Sequence, residues 1–279
     1  MDNILRSLSA SQIAVDLGCG GGSFHYGSYP CRIIGIDVNL NAQRLYRDGE
    51  RVQYVRSSAT DIPLANRSVD AVICNHTFEH FVDYRRTLSE INRVLKITGM
   101  LWISIPNGYS FDDALYRFMY EGGGHLNRFT FWGLIEEVQN QTDLKLVQSI
   151  SLFSGFVYLK KPTPEQLRYI PSLARALFHV PDGLNKACVL LINAVTRFVD
   201  KMMGSRISQY GWGFVFARGN VRLDALPSYF NVCWKCGSGN DAQHLKSTGR
   251  LVSTLGVRFY SCANCHAKSL FLEPPPGLS

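Results

Sequence analysis

IAVDLGCGGG, at residues 13–22, joins a short apolar run to a run of glycines. The apolar residues predict a buried strand, and the glycines predict a tight turn directly after it. Glycine lets the chain turn sharply and lets a ligand approach the backbone with no Cβ in the way. Asp37 follows Gly22 by fifteen residues and ends the next apolar run, where a carboxylate can bind both ribose hydroxyls of an adenosine. The two features together predict a nucleoside-binding loop at the end of a sheet.

Apolar runs that are rich in β-branched residues alternate with helix-like segments through the first half of the chain. The predicted buried strands are residues 13–17, 32–37, 52–57, 70–75 and 100–105. The predicted helices are residues 41–49, 83–99 and 130–142. Gly99 is predicted to end the second helix, and Thr130 is predicted to cap the third. Only eight residues separate Gly22 from Cys31, so the first helix is reduced to about one turn or replaced by a loop. This alternation predicts an α/β fold with a parallel sheet and helices on both faces.

The pattern changes between residues 155 and 209. Residues 144–153 and 211–217 predict strands, and the segment between them predicts a helical insertion. Within it, residues 184–204 have a helical pattern with one narrow polar stripe and apolar residues on all other faces. Two interpretations stay open: a helix packed over the sheet edge or in a dimer contact, and a helix lying on a membrane surface or a lipid substrate. Residues 227–230 are predicted to be a linker.

Three blocks of this sequence resemble the class I S-adenosylmethionine-dependent methyltransferases of the ubiquinone-biosynthesis type. The first block is the pattern D-x-G-x-G-x-G at residues 16–22, with Asp37 ending the second strand. Residues 57–81 are similar to the family's adenine site and fourth strand, and residues 91–107 to its next helix, turn and fifth strand. A dinucleotide-binding fold is the alternative for a glycine-rich loop, but Ser23 stands where that motif has glycine or alanine.

The resemblance implies a Rossmann-like, doubly wound and mostly parallel seven-stranded sheet with an antiparallel last strand. It implies a methyltransferase domain over residues 1–222, in which residues 155–209 are a helical insertion before that strand. It also implies an S-adenosylmethionine site that is made of Asp16, Gly18, Cys19, Gly20, Asp37, Val38, Ser58, Ala59 and Asn75.

The same resemblance implies a role for each part of this set. Asp16 lies near the methionine amino group, and the glycine loop and Asn75 line the methionine part. Asp37 binds the ribose and Val38 packs on the adenine. Ser58 and its neighbour meet the adenine edge, although the family commonly has an acid at the position of Ser58. Because a hydroxyl can also accept a hydrogen bond, we expect weaker adenine binding here and not its loss.

Methyl transfer is an in-line displacement at a sulfonium carbon, so the enzyme mainly holds donor and acceptor in line. Acceptors of open α/β sheets lie beyond the carboxyl ends of the strands, which indicates the segments after the fourth and fifth strands. His125 is the first candidate for a general base and His80 the second, because the unperturbed pKa of histidine suits proton transfer near neutral pH. A hydrogen-bonded structural histidine is the alternative for each.

Four of the eight cysteines form two Cys-x-x-Cys pairs, Cys233 with Cys236 and Cys262 with Cys265. Four thiolates in two such pairs are typical of tetrahedral zinc, and a domain of about 45 residues with few large apolar side chains needs such a metal to fold. We therefore predict a zinc ribbon with a structural zinc ion at residues 230–272, followed by a disordered tail. A c-type haem site and a redox dithiol are the alternatives, and each leaves one pair unexplained.

Charge is unevenly distributed along the chain, whose net charge is +7. Residues 1–154 carry 14 Lys and Arg against 16 Asp and Glu, whereas residues 155–217 carry 8 against 3 and residues 218–279 carry 7 against 3.

Within the ribbon, residues 252–262 predict a single strand. The ribbon also has basic and aromatic side chains that together can bind a nucleic acid strand: Lys235, Lys246, Arg250, Arg258, Lys268, Trp234, Phe259 and Tyr260. The alternative is a ribbon docked on the main domain.

The N-terminal residues lack the features of a signal peptide, and no apolar run is long enough to span a membrane, so we expect a cytoplasmic protein with free thiols. The leading hypothesis is a methyltransferase that acts on a small molecule, a glycan or a lipid-linked intermediate by O-methylation. The second hypothesis is an RNA methyltransferase that holds its substrate with the ribbon. The third is a non-catalytic binding scaffold. The acceptor, the methylated atom and the oligomeric state do not follow from the sequence.

Overall fold

The computed structural model describes residues 1–40, 51–119, 124–154, 170, 172–175, 181–219, 221, 227–233, 238–254 and 257–274. The helix predicted over residues 41–49 lies outside the described residues, and so do Cys236 and the end of the predicted tail, residues 275–279. The chain forms two compact units. The first unit consists of Met1–Ile105, Phe129–Ser149 and Trp212–Leu226. The second unit consists of Pro106–Arg128, Ile150–Gly211 and Pro227–Ser279.

Strands and helices alternate through the first half of the chain, as predicted. In chain order the elements are α1 (Asp2–Ser7), β1 (Ile13–Leu17), β2 (Arg32–Asp37), β3 (Val52–Arg56), β4 (Val69–Asn75), α2 (Tyr84–Val94), β5 (Leu95–Pro106), α3 (Phe111–Met119), α4 (Phe131–Gln141), β6 (Lys145–Phe153), α5 (Ser172–Arg175), α6 (Asp182–Met203), β7 (Gly211–Ala217), β8 (Tyr229–Val232), β9 (Gly239–Asn240), α7 (Ala242–Ser247), β10 (Leu251–Thr254), β11 (Val257–Ser261) and β12 (Lys268–Leu270). None of the helices in the described part of the chain has the length and apolar character needed to cross a membrane.

The larger sheet has the strand order β3-β2-β1-β4-β5-β7-β6-β8-β9. Neighbouring strands from β3 to β5 run parallel, which confirms an α/β fold with a mostly parallel sheet. The predicted count of seven strands is too low, because β8 pairs with residues 151–153 of β6 within the second unit and β9 follows it. The antiparallel direction of β7 stays a prediction.

The central strands of the first unit are buried along almost their whole length, which explains why their sequences are continuous apolar runs. Strands β1 and β4 contribute Val15, Leu17 and Val72 to a core that also includes side chains of α2 and α4. Asp16 is the one polar residue within the apolar strand β1, and its carboxylate is fully buried. The carboxyl ends of these strands position the loop that follows β1.

Helix α2 ends at Val94, five residues before the predicted end at Gly99, and β5 begins at once. The guanidinium of Arg218 explains this boundary, because it donates to the carbonyl oxygen of Asn92 at 2.6 Å and to that of Leu95 at 2.9 Å. Arg218 thereby takes backbone acceptors near the helix end, and the β-branched Ile97 and Thr98 favour the strand that follows. The prediction of a helix through residue 99 was therefore wrong at its C-terminal end.

Other local predictions agree with the structure. The first crossover contains a single 3₁₀ turn at Tyr26–Ser28, in agreement with the short spacing before Cys31. Thr130 caps α4, since its Oγ1 accepts from the backbone N–H of Gly133 at 3.0 Å. Helix α6 ends at Met203 and is capped by Gly204, which has φ +65° and donates to the carbonyl oxygen of Asp200.

Two predictions in the last part of the chain were wrong. Residues 229–230, predicted to belong to a linker, begin β8. Residues 252–262, predicted to form one strand, belong to the antiparallel pair β10 and β11, in which Leu251 lies opposite Tyr260. In the sequence, Gly256 interrupts this apolar run and is a signal against one continuous strand.

Candidate functional site

The loop after β1 is the centre of the candidate site in the first unit. Gly18, Gly20 and Gly22 have φ values of +75°, +54° and +112°, which glycine adopts without strain. A Cβ on Gly18 would lie 2.9 Å from the Cβ of Thr77, so this position is closed to any larger residue. At Gly20, by contrast, an added Cβ would meet no atom within 4 Å. The loop is thus packed tightly at Gly18 and open at Gly20, where a ligand can approach the backbone.

Asp16 holds this loop in place. Its carboxylate accepts from the Tyr26 hydroxyl at 2.5 Å and from the Ser23 hydroxyl and backbone N–H at 2.7 and 3.1 Å. Burial raises the pKa of Asp16 above its usual range, and the hydrogen bonds from Tyr26 and Ser23 offset this only in part. Both carboxylate oxygens are occupied by residues of the loop itself. Tyr26 was not singled out from the sequence, and Ser23 was noted only as a departure from the dinucleotide-binding motif, because nothing in the glycine pattern reports which side chains reach Asp16.

Asp37 is arranged differently at the end of β2. Its Oδ2 accepts from the backbone N–H of Gly20 at 2.8 Å, and its Oδ1 accepts from that of Asn39 at 2.7 Å. Each carboxylate oxygen has a further lone pair, so the group can still accept from two ligand hydroxyls. Val38 follows with 55% of its surface exposed, which leaves an apolar side chain open to contact. This combination suits a ribose beside a flat base.

The segment after β3 is joined to the end of β2. The backbone N–H of Ser57 donates to the carbonyl oxygen of Asp37 at 3.2 Å, so Ser58 and Ala59 follow directly after a contact with the candidate ribose ligand. The hydroxyl of Ser58 lies 2.7 Å from that of Thr60. The backbone just before Ser58 and Ala59 is therefore in contact with the end of β2 at Asp37.

Asn75 connects the loop to the neighbouring strand. Its amide Nδ2 donates to the carbonyl oxygen of Ser23 at 3.0 Å, and its Oδ1 accepts from the hydroxyl of Ser104 at 2.7 Å. The carbonyl oxygen of Ser104 also accepts a hydrogen bond from the backbone N–H of His76, a residue with φ +52°. Ser104 was not singled out from the sequence, because its role follows from the register of β4 and β5, in which it lies opposite Asn75.

Cys19 lies between the loop glycines and is buried. Burial, with the nearby carboxylates of Asp16 and Asp37, raises the pKa of its thiol to about 12. The thiol is therefore neutral at physiological pH and unsuited to act as a nucleophile. Cys19 fits the predicted role as a small lining residue.

His80 lies in the segment after β4, beside a buried acid. Its Nε2 is 3.9 Å from Oε1 of Glu79, which exceeds hydrogen-bonding distance. The side chain of His80 is 39% exposed, whereas that of Glu79 is almost fully buried. His80 is thus accessible to an acceptor molecule.

His125, in the second unit, is fixed by a buried acid. Its Nδ1 lies 2.7 Å from Oδ1 of Asp113, whose Oδ2 accepts from Nε of Arg117 at 2.5 Å. Arg117 also donates to the carbonyl oxygens of His125 and Asn127. Burial would raise the pKa of Asp113, but His125 and Arg117 outweigh it and lower the pKa below its usual value. Asp113 and Arg117 were missed, although their spacing of four residues in one helix was a signal for an ion pair.

Three cysteines meet in the last part of the second unit. The sulfur atoms of Cys233, Cys262 and Cys265 all lie within 4.8 Å of one another, and those of Cys233 and Cys265 are 3.6 Å apart. Two zinc-bound thiolates in a tetrahedron are about 3.8 Å apart, given Zn–S bonds of about 2.3 Å. Asn240 supports the cluster, since its Nδ2 donates to the sulfur of Cys262 at 3.8 Å and its Oδ1 accepts from the backbone N–H of Ala263.

Three of the basic and aromatic residues of the ribbon are engaged within the protein, whereas Lys246, Phe259 and Lys268 are exposed. Tyr260 is buried, so it is unable to stack on a base, which corrects the prediction for this residue. Arg258 forms an ion pair with Glu273. Arg250 donates to the carbonyl oxygen of Cys262 at 3.0 Å. Trp234 and Lys235 lie outside the described residues. These contacts reduce the support for a nucleic acid surface on the ribbon.

Comparison with known proteins adds to this geometry. Residues 15–103 match a family model described as a methyltransferase domain. A probable S-adenosylmethionine-dependent methyltransferase of Mycobacterium tuberculosis is 32% identical over 106 residues, which are 36% of this chain and 38% of the relative.

Two solved structures are similar in fold. One is a chain of the Haloferax volcanii complex that contains the Trm112 methyltransferase activator, with a TM-score of 0.51, 18% identity, and coverage of 77% of this chain and 85% of that chain. The other is the geranyl diphosphate C-methyltransferase of Streptomyces coelicolor, in complex with Mg²⁺, geranyl diphosphate and S-adenosylhomocysteine, with a TM-score of 0.50, 17% identity and 78% of each chain covered. At these identities the likeness concerns the fold.

The matched region contains most of the candidate cofactor site. It includes the glycine loop, Asp37, Ser58 and Asn75. The chain spans less than half the length of the first curated relatives that it matches. Residues 15–103 are thus similar in sequence to a methyltransferase domain, and the fold is similar to that of the two solved structures.

Proposed function

We propose that this chain is a methyltransferase that uses S-adenosylmethionine and methylates a small molecule, a glycan or a lipid-linked intermediate on oxygen. The observation that carries the proposal is the arrangement of Asp37 beside the open position of Gly20. The carboxylate is held by two backbone N–H groups and keeps lone pairs for ribose hydroxyls. The remaining cofactor residues in this proposal are Asp16, Gly18, Cys19, Val38, Ser58, Ala59 and Asn75.

The described residues fit the cofactor in three respects. Gly20 leaves space for a ligand against the backbone, Val38 exposes an apolar surface for the adenine, and Asp37 supplies the acceptor for the ribose. Asp16 acts through Ser23 and Tyr26 to keep the loop in shape. The bound cofactor supplies an electrophilic methyl group, and the protein's part is to orient it and to exclude water.

His125 is the proposed general base, with His80 as the second candidate. The contact between Nδ1 of His125 and Asp113 fixes the orientation of the ring, and a carboxylate at Nδ1 stabilises the imidazolium that forms when Nε2 takes a proton. Removing a proton from an acceptor hydroxyl makes the oxygen a better nucleophile for the methyl group. This role supports O-methylation over transfer to an atom that needs no base.

A structural zinc ion is proposed for the last part of the chain, bound by Cys233, Cys236, Cys262 and Cys265. The three described sulfurs lie within 4.8 Å of one another, which is close enough for them to share one metal ion. Zinc thiolates of this kind persist in a reducing compartment, which supports a cytoplasmic location.

One paired experiment tests the cofactor and base assignments. The Asp37→Ala variant is expected to bind S-adenosylmethionine about tenfold more weakly or worse by calorimetry, because a charge-assisted hydrogen bond contributes about 1.5–3 kcal/mol. Asp143→Ala is the matched control, since that carboxylate is exposed and pairs with Arg218 at 2.6 Å, away from the loop. His125→Ala is expected to keep cofactor affinity and lose methyl transfer by about a hundredfold or more.

The acceptor class is tested by transfer of a labelled methyl group from S-adenosylmethionine into fractionated cell extract. Label in the lipid, glycan or small-molecule fraction supports the proposal, and label in RNA contradicts it. Unchanged cofactor affinity of Asp37→Ala would remove Asp37 from the site, and full transfer by His125→Ala would remove His125 as the base.

A further inference from the structure

Helix α6 of the second unit has its polar side buried and its apolar side exposed. Its buried residues, among those described, are Asn193, Thr196 and Asp200. Leu191, Val195, Phe198 and Met202 are between 52% and 68% exposed. This is the reverse of the usual arrangement, in which the apolar face of a surface helix is turned to the core. An apolar face turned outward in this way indicates a surface that binds something.

The exposed apolar residues form one continuous strip, the α6 strip. It consists of Leu184, Cys188, Leu191, Val195, Phe198 and Met202, all of which are exposed. Their spacing alternates between four and three residues, so at about 100° per residue they stay on one side of the helix. At about 1.5 Å per residue, the strip extends over about 27 Å of helix.

The C-terminal end of α6 fixes which side is turned outward. The buried carboxylate of Asp200 accepts from the Ser205 hydroxyl at 2.6 Å and from the backbone N–H groups of Ile207 and Ser208 at 2.8 and 2.9 Å. Rotation of the helix about its axis would break these three bonds. The α6 strip is therefore held in its outward position by the polar side of the same helix.

The net charge of the chain segment that contains the strip favours an anionic partner. The segment 155–217 carries eight Lys and Arg against three Asp and Glu, and one of the three acids is the buried Asp200. Lys201 is exposed beside the strip. Two copies of this chain meeting through their strips would bring two positively charged segments together, which is unfavourable. Phe198 is the single aromatic side chain of the strip, and its aliphatic neighbours offer a nucleic acid neither stacking nor hydrogen bonds.

We propose that the α6 strip binds the surface of a lipid bilayer that carries anionic headgroups. Exposed aliphatic residues and Phe198 enter the boundary between headgroups and acyl chains, and nearby cations such as Lys201 meet the headgroup charge. Because α6 is not apolar enough to cross a membrane, it lies in the plane of the surface. The proposal stands apart from methyl transfer and needs no cofactor.

The test uses the full chain and vesicles in a flotation assay. Wild-type protein is expected to float with vesicles of phosphatidylcholine and phosphatidylglycerol, and to release as salt is raised. The double variant L191S/F198S is expected to bind about tenfold more weakly or worse, because two large apolar side chains no longer leave water. V252S is the matched control, since Val252 is a similarly exposed apolar residue on β10.

Three outcomes would overturn the proposal: no flotation of the wild-type protein at low salt, equal flotation of L191S/F198S, or equal binding to vesicles of phosphatidylcholine alone. A dimer in light scattering that L191S/F198S abolishes, without vesicle binding, would assign the strip to a second copy instead. Calorimetry of S-adenosylmethionine binding is expected to be unchanged in L191S/F198S, so failure here is distinguishable from failure of the methyltransferase proposal.

Discussion

Two loops of this molecule, one in each unit, are held by the same arrangement, a buried carboxylate that accepts three hydrogen bonds. Asp16 at the end of β1 and Asp200 near the end of α6 are both buried, and each accepts three hydrogen bonds from the residues that follow. In both cases a serine hydroxyl is among the donors. The hydrogen-bonding arrangement is the same, but its consequences differ. The loop after β1 contains the open Gly20 beside Asp37, whereas the loop after α6 keeps the α6 strip turned outward.

The comparison shows that a buried carboxylate with backbone and hydroxyl donors identifies a fixed loop and not by itself a ligand site. At Asp16 a ligand site is indicated by what surrounds it, namely Gly20 and the half-buried Asp37. Near Asp200 the described residues include an open glycine, Gly204, but no contact of that glycine with a second acid is described. The two units also differ in a second way, since the last part of the second unit has a cysteine cluster where the first unit has a large apolar core.

The largest expected effect concerns the cysteine cluster, which we propose stabilises the last part of the second unit through a zinc ion. Cys262→Ser is expected to lower bound zinc to well below one ion per chain, measured by atomic absorption, and to unfold residues 230–272. The reason is that structural zinc contributes about 10–16 kcal/mol to the folding of small domains. Cys188→Ser, an exposed cysteine on α6, is the control and is expected to keep full zinc. A full zinc content in Cys262→Ser would refute the four-thiolate site.

The second prediction concerns the two aspartates themselves. Asp16→Ala and Asp200→Ala are each expected to lower the free energy of unfolding by about 2–4 kcal/mol, because each leaves buried donors without an acceptor. Only Asp16→Ala is expected to weaken S-adenosylmethionine binding, by about tenfold or more. Denaturant titration and calorimetry measure the two effects. If both variants weakened cofactor binding equally, the distinction between the two loops would fail.

The smallest expected effect concerns two glycines with similar backbone angles. Gly18 has φ +75° and its side-chain space is filled by Thr77, whereas Gly204 has φ +65° and open space around it. Gly204→Ala is expected to lower stability by about 1 kcal/mol, from backbone strain alone. Gly18→Ala adds a steric contact and is expected to lower stability by about 2 kcal/mol or more. Equal effects in thermal unfolding would show that Thr77 moves aside.

Much of the first unit could be predicted because its signals are local. The strands β1, β2 and β4, the cap at Thr130 and the shortened first crossover each depend on residues adjacent in sequence. The end of α2 could not be predicted in this way. It depends on Arg218, which lies more than one hundred residues further along the chain. The periodicity of the helix sequence does not report such a distant contact.

The residues of the candidate site also fall into those that local sequence predicts and those that only tertiary contacts reveal. The positions of Gly18, Gly20 and Asp37 followed from a motif, whereas the contribution of Ser23, Tyr26 and Asp113 did not. Ser23 and Tyr26 donate to Asp16 from seven and ten residues away, and Asp113 shares a hydrogen bond with His125, twelve residues later. A pattern of residue types does not report which of several possible donors reaches a given carboxylate.

The sequence by itself determined the alternation of strands and helices, the glycine loop with its second acid, the helix at residues 184–204 and the two cysteine pairs. Each of these is encoded by neighbouring residues whose size, polarity and spacing act locally. Only the tertiary structure decided that Asp16 holds the loop while Asp37 remains available, and that α6 turns its apolar side outward. Those properties depend on which surfaces are covered, and burial is a property of the folded chain and not of any single segment.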